Sequence, residues 1–301
     1  MITAVALSPA LDVGYRVERA VGIQRPSEVR RVAGGKALNA ARAAVRLGGD
    51  VAAVALLGGP IGELVAALAA ADGLALRVVP GHLPTRTCVS IHPDEGDPVE
   101  VYEPAVAVTR AEVDAVVAAL EETLAGRPGW CVISGGMPAG AGPDALVDLL
   151  RSARSAGVRT AVDTHGPALT AALEDPPDLV KVNRAEAAEV LGADADAQEL
   201  AVALHAATGA ACVVTDGTAG AVAADRTGPR RAVLTSPVGR YPVGSGDSFL
   251  GGLVVALDRG AALTPALHLA TGAAVANAQE VGAAVLDPGL ATALASRLGV
   301  G

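Results

Sequence analysis

Short, uninterrupted apolar runs alternate along this chain with segments whose apolar residues recur at helical spacing, and that rhythm excludes most folds other than a layered α/β domain. Ile2-Thr3-Ala4-Val5-Ala6-Leu7, ended by Ser8-Pro9, reads as a first buried parallel strand. Further strands are predicted at Val51 to Leu57, Trp130 to Ser134, Thr160 to Asp163, Leu179 to Val182, Cys212 to Thr215 and Ala221 to Ala224. Helical spacing marks Lys36 to Leu47, stopped by Gly48-Gly49, then Ile61 to Ala71, Pro143 to Ala156 and Arg184 to Leu191, with long stretches beginning near Asp247 and Thr264. The predicted fold is α/β: a doubly wound, mostly parallel sheet flanked by helices, with ligands beyond the carboxyl ends of the strands.

Two regions break the rhythm. Val13 to Arg19 and Ser27 to Val32 alternate apolar with polar residues, as do Thr87 to Ile91 and Val99 to Tyr102, the last two joined by the turn-forming Asp94-Glu95-Gly96-Asp97-Pro98. Four such strands would form either a small separate β-sheet lid or extra edge strands of the main sheet. The lid reading divides the chain into a core of residues 1–11, 34–80 and 106–301 and a lid of residues 12–33 and 81–105. A lid over the strand ends would keep water from a reactive phosphoryl donor.

Composition narrows the function. Of 301 residues, 51% are apolar but only 2% aromatic, so the core is built from Ala, Val and Leu. The net charge of −9 argues against a nucleic-acid partner, which would require a basic face. No apolar run reaches the roughly 18 to 20 residues of a membrane span, and the first residues lack the pattern of a secretory leader, so the expected setting is cytoplasmic with no membrane partner. Cys88, Cys131 and Cys212 lie far apart in strand-like runs and are expected to be buried apolar side chains. Of 23 basic residues only Lys36 and Lys181 are lysines, which suggests two places where a compact ammonium is wanted.

The richest local signal is Pro242-Val243-Gly244-Ser245-Gly246-Asp247-Ser248-Phe249-Leu250-Gly251-Gly252. It sets a carboxylate directly behind a small-residue turn at the start of a helix. Backbone N–H groups of Gly244, Ser245 and Gly246 could gather around an anion at the positive end of the helix dipole. Asp247 could then take a proton from an attacking hydroxyl. The same residues could equally be a glycine-rich helix start capped by its aspartate.

Five motifs occur in order: Ser8-Pro9-Ala10-Leu11-Asp12, Gly34-Gly35-Lys36-Ala37-Leu38-Asn39, Ser134-Gly135-Gly136-Met137-Pro138-Ala139-Gly140, Lys181-Val182-Asn183-Arg184-Ala185-Glu186 and Gly244-Ser245-Gly246-Asp247. Together they resemble the ribokinase-like (PfkB-type) carbohydrate kinases over nearly the whole chain. The Ser-Pro-Ala-Leu-Asp opening and the Thr85-Arg86 step resemble the branch that acts on phosphorylated hexoses, which includes 1-phosphofructokinases and tagatose-6-phosphate kinases.

The resemblance implies an ATP- and Mg²⁺-dependent kinase for a sugar phosphate, with fructose 1-phosphate first and tagatose 6-phosphate, fructose 6-phosphate or an unphosphorylated sugar as alternatives. It makes Asp247 the general base and Gly244, Ser245 and Gly246 the anion hole. Asp12, Gly34, Gly35, Asn39 and Ser134 would meet the sugar, and Lys36 and Arg86 its phosphate. Asp12 could instead cap a turn. Lys181, Asn183, Thr215, Gly217, Gly220 and Asn277 would hold the nucleotide, and Glu186 would place Mg²⁺ through water, although Asn183 and Glu186 also have the spacing of a capping pair. Gly-Gly-Lys-Ala in place of the family's Gly-Gly-Lys-Gly, Gly136 in place of its serine and Ser245 in place of its alanine leave the sugar open. His165 could touch substrate or be structural. A homodimer through the lid sheet would be consistent with the apolar face that such a sheet exposes. A dinucleotide-dependent dehydrogenase is disfavoured because no GxGxxG follows the first strand; a catalytically silent sugar- or nucleotide-binding protein is disfavoured by the intact Gly-Ser-Gly-Asp turn.

Overall fold

The computed structural model describes residues 1–234, 236–237 and 239–298. The chain opens with β1 (Ile2–Ala6), β2 (Ala10–Val17), β3 (Glu28–Gly34), α1 (Lys36–Arg46), β4 (Val51–Leu57), α2 (Gly59–Ala71), β5 (Ala75–Pro80), β6 (Arg86–Pro93) and β7 (Val99–Tyr102). There follow α3 (Arg110–Leu124), β8 (Trp130–Ser134), α4 (Gly142–Ser155), β9 (Arg159–Asp163), α5 (Gly166–Glu174), β10 (Leu179–Asn183), α6 (Arg184–Leu191), α7 (Ala197–Thr208) and β11 (Ala211–Thr215). The hairpin β12 (Ala221–Asp225) and β13 (Gly228–Ala232) precedes the last three helices, α8 (Ser245–Asp258), α9 (Leu263–Asn277) and α10 (Pro288–Leu298).

Nine strands form one sheet in the order β13-β12-β11-β10-β9-β8-β1-β4-β5. From β11 to β5 every pairing is parallel, and at the other edge β12 pairs antiparallel with both β11 and β13. The order reverses at β1: the chain steps outward through β4 and β5, then returns to the other side of β1 with β8 and continues to β11. In such sheets the crevice at the reversal, beyond the carboxyl ends, is where ligands sit. Ser8, Ser134, Asp163, Asn183 and Thr215 all lie at or just past that edge.

A second, four-stranded sheet has the order β3-β2-β6-β7. The alternating segments therefore form their own sheet and are not edge strands of the main one. Its register sets Asp12 opposite both Val32 and Cys88, and Cys88 opposite Tyr102, so these four side chains share one face. The other face carries Tyr15, Val29, Val89, Ile91, Val99 and Val101. β2 begins three residues before Val13 and β3 ends two residues after Val32, because Ala10, Leu11, Ala33 and Gly34 are buried and carry no polar partner pattern. Strand β5, which the apolar-run reading passes over, is an edge strand with Arg77 in its middle and mostly exposed side chains.

Small residues let the last helices crowd the first. A Cβ at Gly251 of α8 would stand 2.6 Å from the Ala40 carbonyl oxygen and 2.8 Å from Ala43 Cβ in α1, and one at Gly252 would stand 3.0 Å from Ala270 Cα in α9. Glycines thus allow near-contact of three helix backbones, which draws the first turn of α8 over the sheet edge. Cys131 and Cys212 are fully buried, Cys88 nearly so, and all three are free thiols. Among the described residues no helix is long and apolar enough to cross a membrane. Replacing Gly251 by valine sets a branched side chain against a helix backbone that cannot yield. Gly251→Val is expected to destabilise the fold by about 3 kcal/mol, the upper end for overpacking, read as a lower midpoint in urea unfolding.

Candidate active site

The carboxyl edge of the main sheet and the inner face of the small sheet enclose a cleft of about 810 Å³. It brings together twelve of the residues singled out from sequence: Asp12, Gly35, Lys36, Asn39, Arg86, Ser134, Lys181, Asn183, Thr215, Gly244, Gly246 and Asp247.

Its floor is the first turn of α8. Gly244 has φ 78°, and a Cβ there would meet the backbone of Ala283 and Ala284 at 2.6 and 2.5 Å, so only glycine fits. Asp247 follows one turn into the helix and is 8% exposed. Asn39, in the first turns of α1, donates through Nδ2 to Asp247 Oδ2 at 3.0 Å and to Asp12 Oδ2 at 3.1 Å. One amide therefore links two carboxylates from opposite sides of the cleft. Gly35 N–H also points at Asp12 Oδ2, at 3.4 Å. Gly34 does not line the cleft but makes room for it: a Cβ there would lie 2.1 Å from Asp12 Cγ.

A second cluster centres on Asp163 at the end of β9, fully buried. Lys181 Nζ donates to Asp163 Oδ2 at 2.7 Å and Lys36 Nζ to Oδ1 at 3.3 Å. Lys36 also lies 3.8 Å from Glu186 Oε1. Both lysines of the chain thus converge on one carboxylate, so Lys36 is held on the same side of the cleft as Lys181. Asn183 and Glu186 form a capping box at the start of α6, each accepting from the other's backbone N–H at 2.8 Å, and Glu186 itself lies outside the lining of the cleft.

The remaining predicted residues divide. Arg86 lies on the small sheet; its Nη1 donates to the Glu103 carbonyl at 3.0 Å, and its buried Nε has no partner. The buried Oγ atoms of Ser8 and Ser134 are also unpartnered, and both residues line the cleft. Ser245 accepts from Asn277 Nδ2 at 3.0 Å, and the same nitrogen donates to the Val243 carbonyl at 2.9 Å. Asn277 is fully buried beneath the turn and braces it; it does not line the cleft. Gly217 and Gly220 flank the short turn after β11 with φ 51° and 94°, also outside the lining.

A family model described as "pfkB family carbohydrate kinase" matches residues 3–288. The 1-phosphofructokinase of Rhodobacter capsulatus is 35% identical over 303 residues, covering 98% of this chain and 95% of that protein. The crystal structure of Escherichia coli phosphofructokinase-2 in complex with potassium superposes with a TM-score of 0.90 at 26% identity, covering 99% of each chain. The same enzyme in complex with fructose-6-phosphate superposes with a TM-score of 0.88 at 25% identity, again over 99% of each.

The chain belongs to the pfkB family of carbohydrate kinases.

An ATP-dependent sugar kinase needs a base and positive charge, and the cleft of this family member holds a buried carboxylate of raised proton affinity beside two lysines. Burial pushes the Asp247 carboxyl up to about 6, with Asp163 adding to the rise and Lys36, Asn39 and Lys181 opposing it. Burial also raises Asp12, against the hydrogen bond from Asn39. Asp163 behaves oppositely: burial would raise it, but Lys181 and Lys36 outweigh that and hold it below its usual range. Lys36 in turn is held protonated, chiefly by Asp163. Burial, with Asp12 adding to it, lifts the Cys88 thiol to about 11, so it is no nucleophile despite lining the cleft.

Sequence motifs alone do not single out Asp163. Its signal is an acid closing an otherwise apolar buried strand, where an unpaired charge could not be tolerated. His165 does line the cleft, and Gly136 leaves room for its ring: a Cβ at Gly136 would stand 2.8 Å from His165 Cε1.

The position of Asp247 fixes a pH dependence. A base must be ionised, so kcat/KM for sugar is expected to fall about tenfold per pH unit below roughly pH 6. The folded-state value lies above the unfolded value of 3.8, so protonating this group adds stability as the pH falls, and its acid limb does not report unfolding. Initial rates and melting midpoints measured across the same pH series check both signs.

Proposed function

We propose that this kinase transfers the γ-phosphoryl group of ATP to the free primary hydroxyl of fructose 1-phosphate, giving fructose 1,6-bisphosphate. The observation that carries the reading is Asp247, raised by burial toward neutrality at the N-terminus of α8 and tied through Asn39 to Asp12. Asp12 and Asn39 would orient the sugar by its hydroxyls. Asp247 would accept the proton of the attacking hydroxyl as the bond to phosphorus forms, and the N–H groups of Gly244 and Gly246 would receive the charge on the transferred group, that of Ser245 being taken by the Pro242 carbonyl at 3.0 Å. The Rhodobacter capsulatus relative, a 1-phosphofructokinase, favours fructose 1-phosphate as acceptor. The Escherichia coli phosphofructokinase-2 complex with fructose-6-phosphate supports that sugar as the second reading.

Arg86, with a buried Nε lacking a partner, fits the phosphate that the acceptor already carries. Lys181 and Lys36 would meet the donor phosphates, being held at one carboxylate by charge. Asn183 and Thr215, at the ends of β10 and β11, would border the nucleotide, with the turn at Gly217 and Gly220 beyond them.

Family membership also suggests magnesium. Among the described residues no three acidic, His or Cys side chains are grouped so as to hold a metal directly. The residues fit an ion that arrives on the nucleotide, with Glu186 Oε1, free of the capping box, reaching it through water. Such an ion would neutralise phosphate charge. The setting we infer is cytoplasmic, in keeping with a small-molecule kinase of phosphorylated sugars.

We infer a homodimer as well. The outer face of the small sheet carries Val29, Val99 and Val101 at 40, 42 and 59% exposure, a band of apolar surface that a second copy would cover.

In an ADP-release assay with MgATP, turnover is expected with fructose 1-phosphate and not with unphosphorylated fructose or ribose. Asp247→Asn should lower kcat by at least about 10³-fold, base and charge being lost together, while MgATP binding by calorimetry stays within a few-fold. Arg86→Ala should raise KM for the sugar phosphate by about tenfold or more with little change in that for ATP. Preference for an unphosphorylated sugar would overturn the role of Arg86. Val101→Asp should shift the sedimentation coefficient from dimer to monomer.

A further inference from the structure

Arg42 lies on α1 one turn beyond Asn39, is 1% exposed and does not line the cleft. An arginine so deeply buried must spend every donor on a partner. Its Nη2 donates to Asn39 Oδ1 at 2.7 Å. Three further bonds go to backbone carbonyls: Nη1 to Ala33, Nη2 also to Ala283, and Nε to Ala284 at 3.4 Å. Asp72 is the nearest paired carboxylate, at 3.9 Å.

The three backbone acceptors lie directly behind residues of the active site. Ala33 precedes Gly34 and Gly35, whose backbone closes over Asp12. Ala283 and Ala284 form the backbone against which Gly244 is packed, and Ala284 holds φ 51°, the left-handed region that alanine rarely enters. A guanidinium can only donate, so Oδ1 of Asn39 must face Arg42 and Nδ2 must face the carboxylates. Were the amide reversed, a lone pair would meet Asp12 and Asp247.

We propose that Arg42 is a positioning residue for phosphoryl transfer: itself anchored on the carbonyls of Ala33, Ala283 and Ala284, it fixes the orientation of the Asn39 amide between Asp12 and Asp247. Its planar fork suits this task, since its four bonds reach its own helix and two other chain segments, Ala33 and the Ala283-Ala284 turn, which the point charge of lysine cannot reproduce. The proposal rests on Asp247 acting as base and Asn39 as its partner.

The test compares Arg42→Lys, Arg42→Gln, Asn39→Ala and the double variant Arg42→Lys/Asn39→Ala in the full chain, with Asp247→Asn as control. Groups facing Asp247 are Asn39 and Lys36 from α1, Asp163 from β9 and Lys181 from β10, with Asp12 beyond Asn39. Arg42→Lys retains the positive charge, so a change in the acid limb of kcat/KM reports the amide and not the loss of a cation. Arg42→Lys is expected to lower kcat by about 10- to 100-fold, as small misplacements of reacting groups do. It should shift the acid limb upward, as Asn39→Ala should, and leave KM for MgATP within about threefold. In the double variant the loss should exceed that of Asn39→Ala by less than about threefold, because the two residues act as one unit.

Multiplying losses, an unmoved acid limb, or a folded Arg42→Lys within twofold of the parent kcat would overturn the proposal. If Arg42→Lys and Arg42→Gln both fail to melt cooperatively or bind MgATP while Asn39→Ala folds, Arg42 serves folding alone and the proposal falls. Undiminished turnover in Asp247→Asn would bring down the base assignment first, and this proposal with it.

Discussion

Three carboxylates, Asp12, Asp163 and Asp247, are gathered at one end of a sheet of apolar strands, and the rest of the site is arranged around the cost of keeping them there. Asp163 and Asp247 are each at most 8% exposed, and an unpaired charge at such depth would neutralise or unfold its surroundings. The three are relieved by different means. Asp163 has two ammonium groups on it and stays well ionised. Asp12 and Asp247 share one neutral amide, which donates to each without cancelling charge, and both are raised. The same end of the sheet therefore holds one permanently charged anchor and one carboxylate poised to exchange a proton, a separation set by environment alone.

That division explains where the lysines lie. A compact ammonium can sit at 2.7 to 3.3 Å from a buried carboxylate while keeping its remaining donors turned to the cleft. Arginine is used where several diverging acceptors must be met, as by Arg42, or on the small sheet, as by Arg86. The absence of lysine elsewhere in the chain makes the two retained ones a chemical statement, and their convergence on Asp163 gives it a physical basis.

Much of this architecture is legible in the sequence because it rests on local signals. The apolar runs mark β1, β4 and β8 to β11 since strands covered on both faces have no need to alternate, and the four alternating segments mark the smaller sheet since one face of it meets water. Gly34 and Gly244 announce themselves as glycines at places where a Cβ would strike Asp12 or the Ala283-Ala284 backbone. Non-local terms are what sequence hides. Nothing near Asn277 says that its amide reaches back to Val243 and Ser245, and nothing near Lys36 says that Asp163, on a distant strand, will accept from its ammonium. Strand β5 is passed over for a simpler reason: at the edge of the sheet with Arg77 at its centre, it has neither a continuous apolar run nor a clean alternation.

The pair Asn183 and Glu186 shows why structural and functional readings of one motif need not compete. The capping box uses Asn183 Oδ1 and Glu186 Oε2, satisfying two backbone N–H groups at the start of α6. That leaves Glu186 Oε1 uncommitted, and Lys36 stands 3.8 Å from it. Capping fixes the rotamer of the glutamate, so the free oxygen is presented to the charged end of the cleft with little conformational entropy left to lose. A carboxylate held in this way can order water around a phosphate-bound cation without moving. On the proposed reading, helix initiation and the electrostatics of the donor side would draw on different atoms of the same side chain, and a residue outside the lining of the cleft would still act on what enters it.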